Sequence, residues 1–268
     1  MSSTIHPTAI IDRAAQLGAD VSVGPYCVIG PNVELGDRCR LHSHVVLDGH
    51  TSIGPDCEIF SFAALGHPAQ HIKHKQGPAR LIIGARNIIR EHVTMHTGTE
   101  FEKLETRIGD DGLFLAGSHV AHDCTVGNHV ILANGVGIAG HVELGDYVYM
   151  GGYSAVHQFV RIGKHAVVGG VTAVVEDVIP YGSVTAERGQ LHGLNIVGLK
   201  RRGFAREDIA ALRRLYKFLF EGEGQFSDRL NAAQEQGLSG APADILEFLQ
   251  AEARRPLCLP KMTGRGTG

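Results

Sequence analysis

Residues 108–150 read IGDDGLFLAGSHVAHDCTVGNHVILANGVGIAGHVELGDYVYM, with a bulky apolar side chain at every sixth position: Ile108, Phe114, Val120, Val126, Leu132, Ile138, Leu144 and Met150. A period of six matches neither a helix nor an alternating strand. It fits a coil of short strands whose flat sides each bury one bulky residue and, four positions later, one small residue. Three sides make one triangular turn, so residues eighteen apart stack on successive turns. That is the pattern of a parallel β-helix.

The series extends in both directions. It begins at Ile5, Ile11, Leu17 and Val23 and reaches Leu65, resumes at Ile83, Ile89 and Met95, and passes Met150 to end at Val174. The small inward slots include Ala9, Ala15, Val21, Cys27, Cys39, Cys57 and Ala63. Glycine follows the bulky residue at Gly18, Gly36, Gly54, Gly109, Gly127, Gly145 and Gly163, where permissive corner dihedrals are expected.

The phase lapses twice. His71 and Gly77 occupy apolar slots, which predicts a loop at about 66–82, and a one-residue shift between Met95 and Ile108 predicts a second at 100–107. Long loops on a rigid scaffold carry function. After Pro180 the pattern stops. Ile209, Leu212, Leu215, Tyr216, Phe218 and Leu219 then fall at mostly helical spacing, which predicts a helix over 206–221, with two more over 228–236 and 243–254. The expected organisation is a mainly β coil over 1–189 and a C-terminal α-helical domain over 190–268, disordered from Pro256 onward.

Composition agrees with a narrow coil: 35 glycines, no Trp and 6% aromatics among 268 residues. A formal net charge of -3 implies neither nucleic acid nor an anionic membrane as partner. No apolar run is long enough to span a bilayer and the N-terminus has no export signal, so a cytoplasmic location is expected. Cys27, Cys39, Cys57 and Cys124 sit in small inward slots and read as free core residues; no CxxC pair supports zinc.

Sixteen histidines are unevenly placed. His119, His122, His141 and His157 lie within about two turns of one another, and His96 precedes them. Imidazoles in such a group serve as general bases, as zinc ligands, or as solvated surface groups. The register lets His119 and His122 point outward near a corner. A zinc site would draw on His96, His119 and His122, or on His67, His71 and His74 in the first loop. KRRGF (200–204), taken alone, is an exposed basic turn before a helix.

HVAHDCTVGN, followed by LAN, AGHVELGD, AVHQF, VGG and NIVGLKRRGF, resembles the UDP-N-acetylglucosamine O-acyltransferase family, whose reaction begins lipid A synthesis. The resemblance covers nearly the whole chain, including AQHIK in the first loop and the helical region. It implies a left-handed parallel β-helix, a homotrimer with active sites between neighbouring coils, and transfer of an (R)-3-hydroxyacyl group from acyl carrier protein to the sugar 3-hydroxyl, with neither metal nor cofactor. It further implies His122 as general base, Asp123 or a backbone group as its orienter, and the Gly140 N–H as oxyanion donor. Gln70, His71, Lys73, His96, His119, His141, His157 and Gln158 are implied to line the substrate cleft. Asn195, Arg201 and Arg202 match nucleotide contacts, and Gly170 matches the position that limits acyl length. Lys200, Arg201, Arg202, Arg206, Arg213 and Arg214 suit an acidic carrier protein. Two positions depart from the family pattern: His71 stands where Asp is usual and Val197 where Glu is common. The first leaves the 3-amino analogue of the sugar open as acceptor. A zinc-dependent carbonic anhydrase on the same coil is the alternative from another reaction class.

Overall fold

A computed structural model describes residues 3–75 and 77–260. Most coil strands are only two residues long, and they assemble into three parallel sheets that form the faces of a triangular prism. Face 1 runs from Thr4–Ile5 to Val167–Val168, face 2 from Ile10–Ile11 to Ala173–Val174, and face 3 from Gln16–Leu17 to Arg161–Ile162. The chain is a left-handed parallel β-helix with a helical C-terminal part.

Register shows where the loops enter. Partners stand eighteen apart at first (Leu35↔Ile53), thirty apart across the first loop (Ile53↔Ile83), twenty-five across the second (Ile83↔Ile108), then eighteen again (Ile108↔Val126). The first insertion adds two whole hexads, so it leaves the six-residue phase intact. The second adds one hexad plus one residue and shifts it. The loops themselves are narrower than expected, because Ala64–His67 and Arg80–Ile83 flank the first and Glu105–Ile108 follows the second.

The sixfold residues fill the prism. Val23, Ile29, Leu41, Ile59, Phe114, Leu132 and Val168 are all essentially inaccessible to solvent. Cys27, Cys39, Cys57 and Cys124 are buried free thiols, as their slots require.

The glycines after the bulky residues have a different purpose from the one expected. None of them has a positive φ; a Cβ on Gly18 would lie 2.6 Å from Asp37 N, on Gly36 2.5 Å from Pro55 N, and on Gly145 2.5 Å from Lys164 N. They are required because successive turns approach too closely there for a side chain. The left-handed corners fall two residues later and are mostly not glycine: Asp20, Arg38, Asp56, Tyr147, His165 and Tyr181 on one edge, Tyr26, Phe62, Tyr153 and Val171 on another. An L-residue in that region costs roughly 1–2 kcal/mol. Stacking along the edges offsets this. Arg38 meets Asp56 at 2.6 Å and Arg86 meets Asp111 at 2.7 Å. Further along the same edge, rings replace ions, with His129–Tyr147 at 4.5 Å and Tyr147–His165 at 4.7 Å.

The coil ends in a hairpin, Gly182–Thr185 against Gln190–Leu194, so pairing outlasts the Pro180 limit read from sequence. Helix α1 (Ile196–Arg201) ends inside the basic KRRGF segment, whose Arg202 and Gly203 form a turn before α2 (Arg206–Glu221), as the sequence suggested; α3 (Phe226–Glu235) and α4 (Ala241–Gln250) follow. Ile209, Leu212, Leu215 and Leu219 form the buried stripe of α2, whereas Phe218 is exposed. Tyr181 donates to Asp244, and Lys164 pairs with Asp244 at 2.7 Å, tying α4 to the coil. The segment from Pro256 to Pro260 also departs from expectation. Asp177 N–H donates to Pro256 O and Cys258 N–H to Asp177 O, both at 2.8 Å, and Cys258 is buried. The remainder of the expected disordered tail, 261–268, lies outside the described residues.

His165 is half-buried between Tyr147 and Tyr181, its Nδ1 has no partner among the described residues, and burial lowers its pKa to about 4. Its unfolded value is near 6.5, so it contributes stability above that pH which is lost as pH falls toward 4. His165→Phe keeps the stack and removes the titration. Its melting temperature should fall less steeply than that of the wild type between pH 6.5 and 4; parallel profiles would refute the assignment.

Candidate active site

The edge between faces 2 and 3 gathers most of the candidate residues. His122 and Asp123 follow the face 2 strand His119–Val120, and Asp123 takes the left-handed corner (φ 59°). His122 Nδ1 lies 2.8 Å from Asp123 Oδ2. The second loop closes over this pair. Thr99 donates from its N–H to Asp123 Oδ1 (3.0 Å) and from its hydroxyl to Oδ2 (2.6 Å), and the Lys103 N–H reaches Oδ1 at 3.2 Å. With Thr99 and Lys103 filling the carboxylate, the imidazole is its remaining donor. Burial raises the Asp123 pKa, but the bonds from His122 and Thr99 outweigh it and hold the carboxyl below its ordinary value. Asp123 is therefore an anion, Nδ1 of His122 carries the proton, and Nε2 presents its lone pair.

The imidazole lies against Gly140, which stacks on His122 one turn later; a Cβ there would lie 2.5 Å from Cε1 and 2.7 Å from Nε2. The flanking Ala139 and His141 N–H groups both donate within the coil, to Val156 and to His122, whereas the Gly140 N–H enters no backbone bond among the described residues. The His122 ring and an uncommitted N–H thus share one corner. The sequence suggested that His122 points outward; it does leave the coil, yet only 3% of it is exposed because the second loop covers it.

Four more histidines surround it. His141, at the next left-handed corner, stands edge-on to His122 at 5.0 Å and lies flat on Phe159 at 4.4 Å. His71 approaches from the first loop, 5.2 Å from His122. His71 Nδ1 accepts from the Lys73 N–H, so its Nε2 is a donor. His119 Nδ1 meets Thr94 Oγ1 at 2.7 Å, and His96 stands 4.9 Å from His119. Burial lowers the pKa of His96 to about 4 and depresses those of His119 and His141, so all three are neutral at pH 7. Gln70 and Lys73 are exposed on the same loop. His157 and Gln158 lie on this edge beyond His141, held by Arg255.

Asn195, Arg201 and Arg202 are elsewhere, in a groove on face 1 lined by Ile131, Tyr149, Val167 and Val197. Asn195 caps α1, accepting from the Gly198 N–H at 3.0 Å and donating to His165 O at 2.9 Å. Arg202 folds back onto Tyr147 O at 3.0 Å, while Arg201 stays exposed with Lys200, Arg206, Arg213 and Arg214. Gly170 is exposed on the edge between faces 1 and 2, where a Cβ would meet Gly152 O at 3.2 Å.

The zinc trios read from sequence acquire other partners. His67 faces Asp48 at 3.5 Å, His74 pairs with Glu100 at 2.8 Å, and His71 turns to His122. The set with converging ligand atoms among the described residues is instead His122, Asp123 and His141. The four hydrogen bonds on Asp123 leave it no lone pair for a cation, so this set suits an oriented base better than a metal.

This architecture is shared with known proteins. A family model described as UDP N-acetylglucosamine O-acyltransferase, domain 2, matches residues 177–258, and a bacterial transferase hexapeptide model matches residues 14–49. An acyl-[acyl-carrier-protein]--UDP-N-acetylglucosamine O-acyltransferase of Caulobacter vibrioides is 56% identical over 259 residues, covering 96% of this chain and 98% of the relative. The chain belongs to the UDP-N-acetylglucosamine O-acyltransferase family. The solved structure of the Francisella novicida UDP-N-acetylglucosamine acyltransferase superposes with a TM-score of 0.93 at 34% identity, over 97% of this chain and 95% of that one. The Moraxella catarrhalis O-acyltransferase gives 0.91 at 36% identity, over 96% and 100%.

Sequence reasoning missed Thr99, Glu100 and Lys103. Eighteen-residue stacking would have placed Gly140 over His122 and Phe159 over His141, but no periodicity says where a loop returns. Glu100 joins the two loops: its carboxylate accepts from Lys75 N–H at 2.7 Å and meets His74 at 2.8 Å. Glu100→Ala removes both contacts, each worth about 1 kcal/mol, and amide exchange at residues 70–75 should accelerate about thirtyfold. Exchange at the wild-type rate would show that other contacts hold the first loop.

Proposed function

We propose that this chain transfers an (R)-3-hydroxyacyl group from acyl carrier protein to the 3-hydroxyl of UDP-N-acetylglucosamine, the first step of lipid A biosynthesis, in the cytoplasm. The observation that carries the reading is the His122 imidazole, held through Nδ1 by a saturated Asp123 and lying against Gly140, whose N–H enters no backbone bond among the described residues. Nε2 removes the hydroxyl proton as the sugar oxygen attacks the thioester carbonyl. The Gly140 N–H donates to the oxyanion that forms, and Asp123 stabilises the imidazolium. Collapse expels the carrier thiol, which takes the proton back from Nε2. No step requires a metal, so the carbonic anhydrase reading has no role for Asp123 as it is bonded. None of the helices is long and apolar enough to cross a membrane among the described residues.

The assembly proposed is a homotrimer. Large hydrophobics exposed on coil strands lie on face 1 (Ile5, Ile88, Tyr149) and face 2 (Ile10, Val28), and Tyr26, Phe62, Tyr153 and Val171 follow the edge between them. Among the described residues none lies on face 3. Three prisms sharing that apolar edge would bury it and set face 1 of one copy against face 2 of the next. The same packing brings the groove of Asn195, Arg201 and Arg202 to the histidines of its neighbour, which supports a shared cleft for the nucleotide and the sugar. Exposed Val197 in that groove adds no polar contact for the nucleoside. The exposed basic residues of α1 and α2 suit the acidic carrier protein.

A second acceptor is supported by His71. Its Nε2–H is a donor beside His122 where the family has a carboxylate acceptor. A neutral 3-amino group accepts that bond as readily as a hydroxyl, and its acylation gives an amide.

The test is to incubate the purified protein with each nucleotide sugar and a series of hydroxyacyl carrier proteins and to identify products by mass. His122→Ala should lower turnover ~10²–10⁴-fold, and Gly140→Ala about 10²-fold by displacing the ring, both with the trimer intact by sedimentation. Near-normal activity of His122→Ala would remove the base from the scheme. Gly170→Met should shift preference to shorter acyl chains; an unchanged chain-length profile in competition would refute the role of Gly170.

A further inference from the structure

Beyond α4 the chain returns to the coil as a strap, and its two arginines land on the catalytic edge. Arg254 lies over the Phe159 ring at 5.0 Å, extending the stack that runs from His141. Arg255 Nε donates to Gln158 O at 2.9 Å, and its NH2 group meets His157 Nδ1 at 2.5 Å. The strap is pinned just beyond them by the two backbone bonds between Asp177 and Pro256–Cys258.

A guanidinium only donates hydrogen bonds. The nitrogen it meets on His157 must therefore be the lone-pair nitrogen, and the ring proton must sit on Nε2. One other group competes for Nδ1, the Gln158 carbonyl at 3.3 Å, but that oxygen already accepts from Arg255 Nε at the shorter distance. His122 is set the opposite way, because a carboxylate holds its Nδ1 proton and frees Nε2 as acceptor. Two imidazoles on one edge thus take opposite tautomers, each dictated by what binds Nδ1.

We propose that Arg255 is a positioning residue that locks His157 as the neutral Nε2–H tautomer, so that this ring offers the bound substrates a hydrogen-bond donor and not a second base. The ligand class that follows is an acceptor oxygen, such as a carbonyl or phosphoryl group. The placement of His157 in the substrate cleft rests on the function proposed above; the tautomer does not.

The experiment uses the intact protein labelled with ¹⁵N-histidine. In the wild type at neutral pH, the His157 resonances should report a protonated Nε2 and a bare Nδ1. Arg255→Met keeps the aliphatic stem, removes the donors and should give a mixture of tautomers. A proton on Nδ1 in the wild type, or an unchanged ring in Arg255→Met, overturns the proposal. On the kinetic side, Arg255→Met should raise KM about tenfold for the substrate whose oxygen His157 holds, with kcat changed less. His157→Gln retains a donor and should bind more tightly than His157→Glu, which is an acceptor at neutral pH. If His157→Glu binds as well as His157→Gln, the donor role is refuted. Failure of the acyl-transfer reading would look different: the tautomers would stand as stated, while the wild type made no acylated sugar.

Discussion

Stacking in register governs this molecule. Each turn must lie on the one before with an eighteen-residue offset, and that demand selects glycine where backbones nearly touch and a small core residue where the sides narrow. It also places a left-handed residue at most corners. The strain does not accumulate unrelieved, because within the coil such residues stack on those of the neighbouring turns. The edges consequently become columns of ions or rings, such as Arg38 on Asp56 and Tyr147 on His165. The proposed active site is one of these columns put to a different use: Asp123, His141 and Phe159 are successive corners, and Arg254 from the strap occupies the next level.

This explains how much could be read from residues alone. Positions such as Ile108 and Val126 revealed the coil because one short period controls them and nothing distant intervenes. The loops were visible as breaks, but the partners within them were not. Thr99 reaches Asp123 across twenty-four residues, and the arithmetic of the coil contains no term for that return. The histidines raised a similar difficulty. Spacing showed that they gather on neighbouring turns, while their roles depended on family resemblance, since an imidazole on an edge has no signature of its own until its Nδ1 partner is known.

The glycine correction is instructive in the same way. Gly18 and Gly36 looked like dihedral necessities, because glycine at a corner ordinarily is. The positive φ angles fall instead on Asp20 and Arg38, where a side chain is needed for stacking. Proximity, which excludes any Cβ, and handedness, which only penalises one, are separate constraints two residues apart. A single sequence cannot distinguish them, but a register can. Helix α1, which the sequence did not announce, has a local cause. Asn195 supplies the cap that starts the helix, and its second bond to His165 fixes the helix against the coil.

Burial of His122 matters most for the proposed chemistry. A base on an open corner would exchange its partners with water, and its tautomer would be a matter of average. Under the second loop, Asp123 is filled by Thr99 and Lys103 before the imidazole adds its own bond, so the carboxylate cannot turn away without leaving two backbone donors unpaired. Unsatisfied buried donors cost about 1–3 kcal/mol each, more than rotation of one ring could recover. The loop therefore fixes the carboxylate, the carboxylate fixes the proton on Nδ1, and Nε2 is left free on a ring that lies against Gly140. A group entering that corner meets the imidazole in a single tautomer.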